Sequence, residues 1–279
     1  MVASVLVFST MDGLSKYLTA DYPPVVVMWG RYTWSLALLL PLAALRWRER
    51  PLRTRRITPQ LVRGICMVGS GLCFVSGLVT LPLAEATATG FVSPLFVTAL
   101  SIPLLGETVG VRRWLAVAVG FGGVLIIVRP GGGAFSPAAI WPVLSAASWA
   151  LSMILTRRMR LSDPPLTFLA FPALVGTFGL GLPALLAWRP IDAATWGLLL
   201  GAGAFSLLGQ YLQLQAFRRG TASLLAPFSY GSIIGSSAIG VLVFGQFPDG
   251  WTWVGVAIVV GSGVYTWHRE RVRARFAIA

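Results

Sequence analysis

Charge is scarce in this sequence. Only 11% of its 279 residues are charged, whereas a soluble domain carries about a quarter. With 56% of the chain hydrophobic, little is left over for a separate soluble domain. Acid is the scarcer sign, with 9 Asp and Glu against 22 Lys and Arg, and Lys16 is the one lysine. Histidine occurs once, as His268 among C-terminal arginines, and reads as a solvated neighbour of them. The 2 cysteines, Cys66 and Cys73, lie in one apolar segment. Seven residues along a helix sets them about 10 Å apart, too far for a disulfide, so they read as small buried thiols. There is no Cys/His cluster for a metal and no carboxylate pair for acid–base work. Gly131-Gly132-Gly133 has no following Lys-Ser/Thr to make a phosphate loop and reads as a linker. These gaps argue against an enzyme and call for no cofactor. An intramembrane lipid-modifying enzyme would need buried nucleophiles or metal ligands, and the sequence offers almost none.

What is present is a succession of apolar segments. A bilayer core takes roughly 20 apolar residues per helix. Ten such segments are predicted, over 2–20, 24–46, 60–80, 86–105, 111–129, 137–159, 164–188, 194–217, 221–244 and 250–268. Pro23-Pro24, Pro59, Pro137, Pro164-Pro165 and Pro248 fall at or near segment starts, where a missing N–H costs little. The N-terminus does not read as a cleavable signal, because it lacks a basic n-region and Asp12 and Lys16 interrupt its apolar run.

The net charge of +13 would suggest nucleic acid in a soluble protein. Here it sits in short clusters between segments, so no nucleic-acid partner is expected and the charge reads as topological. Arg46 to Arg63, Arg112-Arg113, Arg157 to Arg160, Arg218-Arg219 and Arg269 to Arg275 all fall on one side if there are ten spans. Lys16, Arg31, Arg129 and Arg189 fall toward the other. The positive-inside rule then places both termini in the cytoplasm of a bacterial-type inner-membrane protein.

The two halves resemble each other. At an offset of 141, Ser4, Leu14 and Lys16 meet Ser145, Leu155 and Arg157, and Phe8 meets Trp149. At 139, Gly106, Trp114, Val117, Ala118 and Gly122 meet Gly245, Trp253, Val256, Ala257 and Gly261. All five segments of one half find partners in order in the other. Five spans begin on opposite sides in the two copies, so the repeat is inverted, a common construction in secondary transporters. The expected architecture is all-α and integral to the membrane, with ten transmembrane helices as two inverted five-helix repeats around a central cavity. Residues 1–129 form the first repeat and 130–136 a Pro/Gly-rich linker. Residues 137–279 form the second repeat, with a basic C-terminal tail.

Several stretches carry a resemblance. One is the first segment with Lys16 near its end. Another is the run Glu85-Ala86-Thr87-Ala88-Thr89-Gly90-Phe91-Val92-Ser93-Pro94-Leu95-Phe96, leading to Leu104-Leu105-Gly106-Glu107. Phe244-Gly245-Gln246 stands in the same place in the second half, and Ala226-Pro227-Phe228-Ser229-Tyr230 in the ninth segment also fits. In these the chain resembles the drug/metabolite transporter superfamily, in its ten-helix EamA-like group, with the aromatic amino-acid exporters as the suspected subgroup. Gln246 departs from the glutamate usual in the second copy. The resemblance implies a cavity lined mainly by segments 1, 3, 4, 6, 8 and 9, gating by 2 and 7, and peripheral 5 and 10. It also implies transport of small organic metabolites, often export of amino acids.

Ionisable groups inside a bilayer are functional candidates. Asp12 and Lys16 share one face of the first helix. They read either as cavity-wall charges near a zwitterionic substrate, or as an internal salt bridge with Lys16 snorkelling outward. Arg31 fits a substrate carboxylate or a structural partner for Asp12. Glu85 suits a helix start, and Glu107 a latch to Arg112 or Arg113. Gln210, Tyr211 and Gln213 are candidates for cavity lining, as are Ser229 and Tyr230, with close packing the alternative for the small residues. Pro94 and Pro227 read as kinks or as gating bends. Phe8 and Trp149, related by the repeat, are candidates to face each other and hold a flat ligand.

The function expected is export of small amphipathic metabolites, amino acids first, by alternating access. Proton coupling through Asp12, exchange and facilitated diffusion all stay open. The alternative is import or facilitation of riboflavin or another planar metabolite. The expected partners are a small-molecule substrate and the lipid bilayer, with the chain a monomer or a homodimer.

Overall fold

The structure, a computed structural model, describes residues 1–45, 54, 56–106, 109–129, 136–159, 163–219, 225 and 228–276. Its helices are α1 (Val2–Leu18), α2 (Pro24–Leu45), α3 (Ile57–Leu78), α4 (Leu83–Gly90), α5 (Ser93–Leu105) and α6 (Val111–Val128). After a 3₁₀ turn (Pro137–Ala139) come α7 (Ile140–Met159), α8 (Pro165–Gly179), α9 (Gly181–Leu186), α10 (Ala193–Arg219), α11 (Gly231–Phe244) and α12 (Gly250–Phe276). Among the described residues there is no strand. Five helical stretches there are long and apolar enough to cross a membrane, namely Pro24–Ala44, Ile57–Leu78, Leu83–Leu105, Pro137–Met159 and Ala193–Ala216. Shorter apolar helices cover Trp114–Val128, Leu166–Gly179, Gly231–Phe244 and Gly250–Tyr265.

The element boundaries follow local chemistry. Pro24 and Pro165 open α2 and α8, where no helical N–H is required. The segment predicted over 86–105 starts at Leu83 instead and divides between Gly90 and Ser93. Pro94 has no N–H to give the Gly90 carbonyl, so a kink becomes a full break. Pro183 stands in the same relation to Gly179, where α8 gives way to α9. Gly106 and Gly245 end α5 and α11 in the left-handed region, with φ of 69° and 64°, which glycine adopts without a Cβ penalty. The last helix runs on to Phe276, past the predicted end at 268. The linker residues 130–135 lie outside the described residues, as do Glu107 and Pro227.

Small residues set the closest helix contacts. A Cβ at Gly255 of α12 would lie 2.5 Å from Ile127 Cγ1 and 2.6 Å from the Gly123 carbonyl of α6. That approach explains how α6 and α12 pack along their length. The other main pairings are α3 with α7, α1 with α10, α2 with α8 and α10, α3 with α8, α5 with α7, α1 with α11, and α4 with α11. Leu18, Val27, Met28, Tyr32, Val68, Val75, Leu180 and Leu199 form one buried cluster among α1, α2, α3 and α10, with Leu180 at the α8–α9 joint. On the outer surface Phe178, Leu186, Leu242 and Phe247 are largely exposed, an apolar surface of the kind that a bilayer covers.

Candidate functional site

Two adjoining cavities share Trp149 and Met153 of α7. The smaller, of about 90 Å³, lies between α3, α7, α8 and α10. Arg63 and Met67 reach it from α3, Ser152 and Thr156 from α7, Phe168 and Leu169 from α8, and Gln210, Gln213 and Leu214 from α10. The larger, of about 270 Å³, is lined by residues of the broken α4–α5 segment, α6, α7 and α12, and by Tyr230. Its size approaches the lower end of the range for small-molecule sites. The wall is mainly apolar, with Arg157 at one edge. The fifth and tenth segments, expected to be peripheral, supply Ala116, Val117, Gly120, Ser262 and Gly263 to this wall.

The predicted residues separate into three places. Trp149, Gln210 and Gln213 come together at the smaller cavity, and Trp149, Tyr230 and Pro94 at the larger. Gln210 Nε2 donates to Ser206 Oγ at 3.2 Å, one turn earlier. Tyr230 stacks on Phe91 at 4.9 Å and 25°. These two rings flank the start of α11 and the end of α4, where helical hydrogen bonding stops. Ser229 is half-buried beside Tyr230 and accepts from Ser232 Oγ through its carbonyl at 2.9 Å. Tyr211 is exposed on the far face of α10 and lines neither cavity.

The second place is the packed interior around α1. Phe8 lies against Gly209, where a Cβ would meet its Cε1 at 2.8 Å. It lines neither cavity, so Phe8 and Trp149 are not brought face to face. Asp12 is half-buried and coupled electrostatically to Arg31. Arg31 is buried over the Tyr32 ring, at 5.4 Å, and its Nε has no hydrogen-bond partner among the described residues.

The third is a set of ties at the ends of α1 and α3. Lys16 does not pair with Asp12. Its Nζ donates to the Leu78 and Leu81 carbonyls, at 3.0 and 2.6 Å, and lies 5.6 Å from the Phe244 ring centre. The ammonium thus sits at the C-terminal, negative end of α3. Glu85, half-buried, adds an opposite charge nearby. At the same end Arg129 pairs with Asp249, and Arg189 Nη1 donates to the Asp21 carbonyl at 2.9 Å. Asp249 also accepts from the Thr252 N–H and hydroxyl, at 2.8 and 2.7 Å, so it caps α12. The Arg129 hydrogen bond and these donors hold its carboxyl at about 2, below the usual 3.8.

The sequence reading missed a buried network. Arg63, counted there as a topological charge, is only 3% exposed. Its Nε donates to Gln60 Oε1 at 3.1 Å, Nη1 to Met67 Sδ at 3.0 Å, and Nη2 to the Phe168 carbonyl at 2.6 Å. The guanidinium lies 4.9 Å from the Phe168 ring centre. Gln60 Nε2 and Thr54 Oγ1 both donate to Asp163 Oδ2, at 2.6 and 2.8 Å. The available signal was Gln60 and Arg63 three residues apart, on one face of an otherwise apolar helix.

Comparison with known proteins places the chain among transporters. The profile of the EamA-like transporter family matches residues 1–129 and 136–266. A riboflavin transporter of Vibrio cholerae is 30% identical over 280 residues, covering 99% of this chain and 94% of that protein. An S-adenosylmethionine uptake transporter of Rickettsia prowazekii is 27% identical, covering 96% and 91%. A pseudopaline exporter of Pseudomonas aeruginosa is also 27% identical, covering 93% and 91%. One crystal structure shares the fold with a TM-score of 0.66, at 23% identity, over 97% of this chain and 98% of that one.

Proposed function

The chain belongs to the EamA-like transporter family, within the drug/metabolite transporter superfamily, and from that premise we propose that it carries small amphipathic metabolites across a bacterial inner membrane by alternating access. The observation that carries the reading is the pair of cavities meeting at Trp149. An indole there offers a flat apolar face, and Gln210 and Gln213 offer amides beside it. A molecule with an apolar body and a polar end fits both. Neutral or aromatic amino acids, moved outward, are the substrates proposed.

The proposal includes ten spans in two inverted repeats, with both termini cytoplasmic. The helix pairings support this. Exchanging the first five segments with the last five turns the α3–α7 contact into α10–α1, α10–α2 into α3–α8, and α5–α7 into α11–α1. It leaves α6–α12, α2–α8 and α4–α11 as they are. Gly106 and Gly245 correspond, as do Phe91 and Tyr230, which stack on each other.

A second reading is transport of riboflavin or another planar metabolite. It is favoured by the riboflavin transporter name of the Vibrio cholerae relative and is equally compatible with an indole-lined wall. Purified protein in liposomes loaded with labelled amino acids and riboflavin separates the two. Selective amino-acid release supports the first reading, and flavin release alone supports the second. No flux of either, in protein shown to be folded, defeats both. Trp149→Ala and Gln210→Leu are expected to lower flux about tenfold each, the effect of about 1.4 kcal/mol from one aromatic or amide contact.

A further inference from the structure

The Arg63 network poses a question that charge topology does not answer. A guanidinium that is 3% exposed has left water, and burying a charge is costly unless it is paired. Yet its three acceptors are an amide oxygen, a thioether and a backbone carbonyl, all neutral. Asp163 is held one residue away, because the Gln60 amide stands between them, accepting from Arg63 and donating to Asp163. Among the described residues no carboxylate lies within ion-pair distance of Arg63. The positive charge is therefore oriented by neutral groups, with the Asp163 charge held one residue away.

The donor count points the same way. Arginine has five N–H groups, and these three bonds use one each on Nε, Nη1 and Nη2. One N–H remains on each terminal nitrogen, so the guanidinium still has two donors for a further acceptor. Arg63 lines the smaller cavity, and so does Gln213, whose amide makes no hydrogen bond among the described residues. Trp149 stands in the wall shared with the larger cavity.

We infer that Arg63 and Gln213 form an anion subsite of the smaller cavity, taking the carboxylate of a substrate whose apolar part lies against Trp149. This rests on the transport reading only for the word substrate. It narrows the class, since acids and zwitterions have a partner at Arg63 that neutral molecules of the same shape lack. Gln60 and Asp163 act as positioning residues, one aiming the guanidinium and the other supplying a remote counter-charge that a bound carboxylate must outcompete.

The test is equilibrium binding to the full chain in lipid nanodiscs, with 4-fluorophenylacetate and its neutral amide as probes, read by fluorine NMR. The wild-type protein is expected to bind the acid at least about tenfold more tightly than the amide, as for a charge-assisted hydrogen bond against a neutral one. Arg63→Gln is expected to bring that ratio to about one, and Arg63→Lys to keep part of it. Asp163→Asn leaves the guanidinium and its three bonds in place, so it serves where Arg63→Gln does not fold. It is expected to strengthen acid binding severalfold and leave the amide unchanged, which a purely structural network would not do. Equal binding of acid and amide by the wild type, binding of neither, or a preference that survives in folded Arg63→Gln overturns the inference. Flux in liposomes without an acid preference sinks the subsite alone, whereas an acid preference without flux sinks the transport reading alone.

Discussion

Replacing Lys16 by Met is the most direct test of whether its contacts tie the ends of α1 and α3 together, as the proposed alternating access requires of one side. Methionine keeps the length and apolar character of the stem and removes the ammonium. Two bonds to the Leu78 and Leu81 carbonyls are lost. Hydrogen bonds to charged groups contribute roughly 1.5–3 kcal/mol in soluble proteins, but polar contacts inside membrane proteins average about 0.6 kcal/mol. The membrane value is the safer one, giving about 1 kcal/mol for the pair. Removing a cation from a helix C-terminus costs about 0.5 kcal/mol more, and the Phe244 contact at 5.6 Å a similar amount. The total is about 2 kcal/mol, or roughly a thirtyfold shift in the balance between closed and open forms at this end. The assay is the distance between spin labels at Asp21→Cys and Gly250→Cys, in a background with Cys66 and Cys73 changed to Ser. Both labelled positions are exposed, after α1 and at the start of α12. Lys16→Met is expected to add a longer-distance population, and Lys16→Arg to add less of it. A folded Lys16→Met protein with the wild-type distance distribution would refute the idea that this contact controls closure.

Other perturbations probe the packing and the outer ion pair. A methyl group at Gly263 would occupy the space of the Tyr230 hydroxyl. Gly263→Ala is therefore expected to destabilise by about 1–3 kcal/mol, and Tyr230→Phe in the same chain to recover part of the loss in a denaturant titration. Gly255→Ala would force α12 away from Ile127 and the Gly123 carbonyl; a similar loss is expected, read as a lower melting temperature in detergent. The Asp249 carboxyl titrates at about 2 when folded, against a usual 3.8. A depressed folded value gives stability that is present above about pH 4 and lost as pH falls toward 2. Because Asp249 is 47% exposed, the effect is screened to less than about 1 kcal/mol. Asp249→Asn is expected to cost that much at pH 7 and only a small part of it at pH 2, and an equal cost at both values would show that the cap alone matters.

The apolar segments were legible because bilayer length and proline position are both written in residue type. Pro94 was visible too, but a start placed at 86 made it a mid-segment kink. With the helix beginning at Leu83, Pro94 instead begins a second helix. Lys16 had an obvious partner in sequence, Asp12 one turn away, and took two backbone carbonyls in its place. Carbonyls are present at every residue and leave no mark in composition, so ties of this kind are invisible until the helix ends are placed.

Phe8 and Trp149 show a different limit. Positions related by the proposed repeat would share a backbone path, but each side chain answers to its own neighbours. Gly209 opens a groove that accepts the Phe8 ring, whereas Trp149 is left in a cavity wall. Arg63 was hidden because its position in sequence groups it with the arginines between segments. Counting arginines between segments treats each as a label of side, and it gives the same value to a solvated arginine as to one enclosed by Gln60, Met67 and Phe168. What separates them is the amide at Gln60. An apolar residue there would leave Asp163 without that donor and Arg63 without that acceptor, and burial of the guanidinium would lose its support. A glutamine one turn before an arginine, inside an apolar segment, is thus better evidence of a buried charge than the arginine itself.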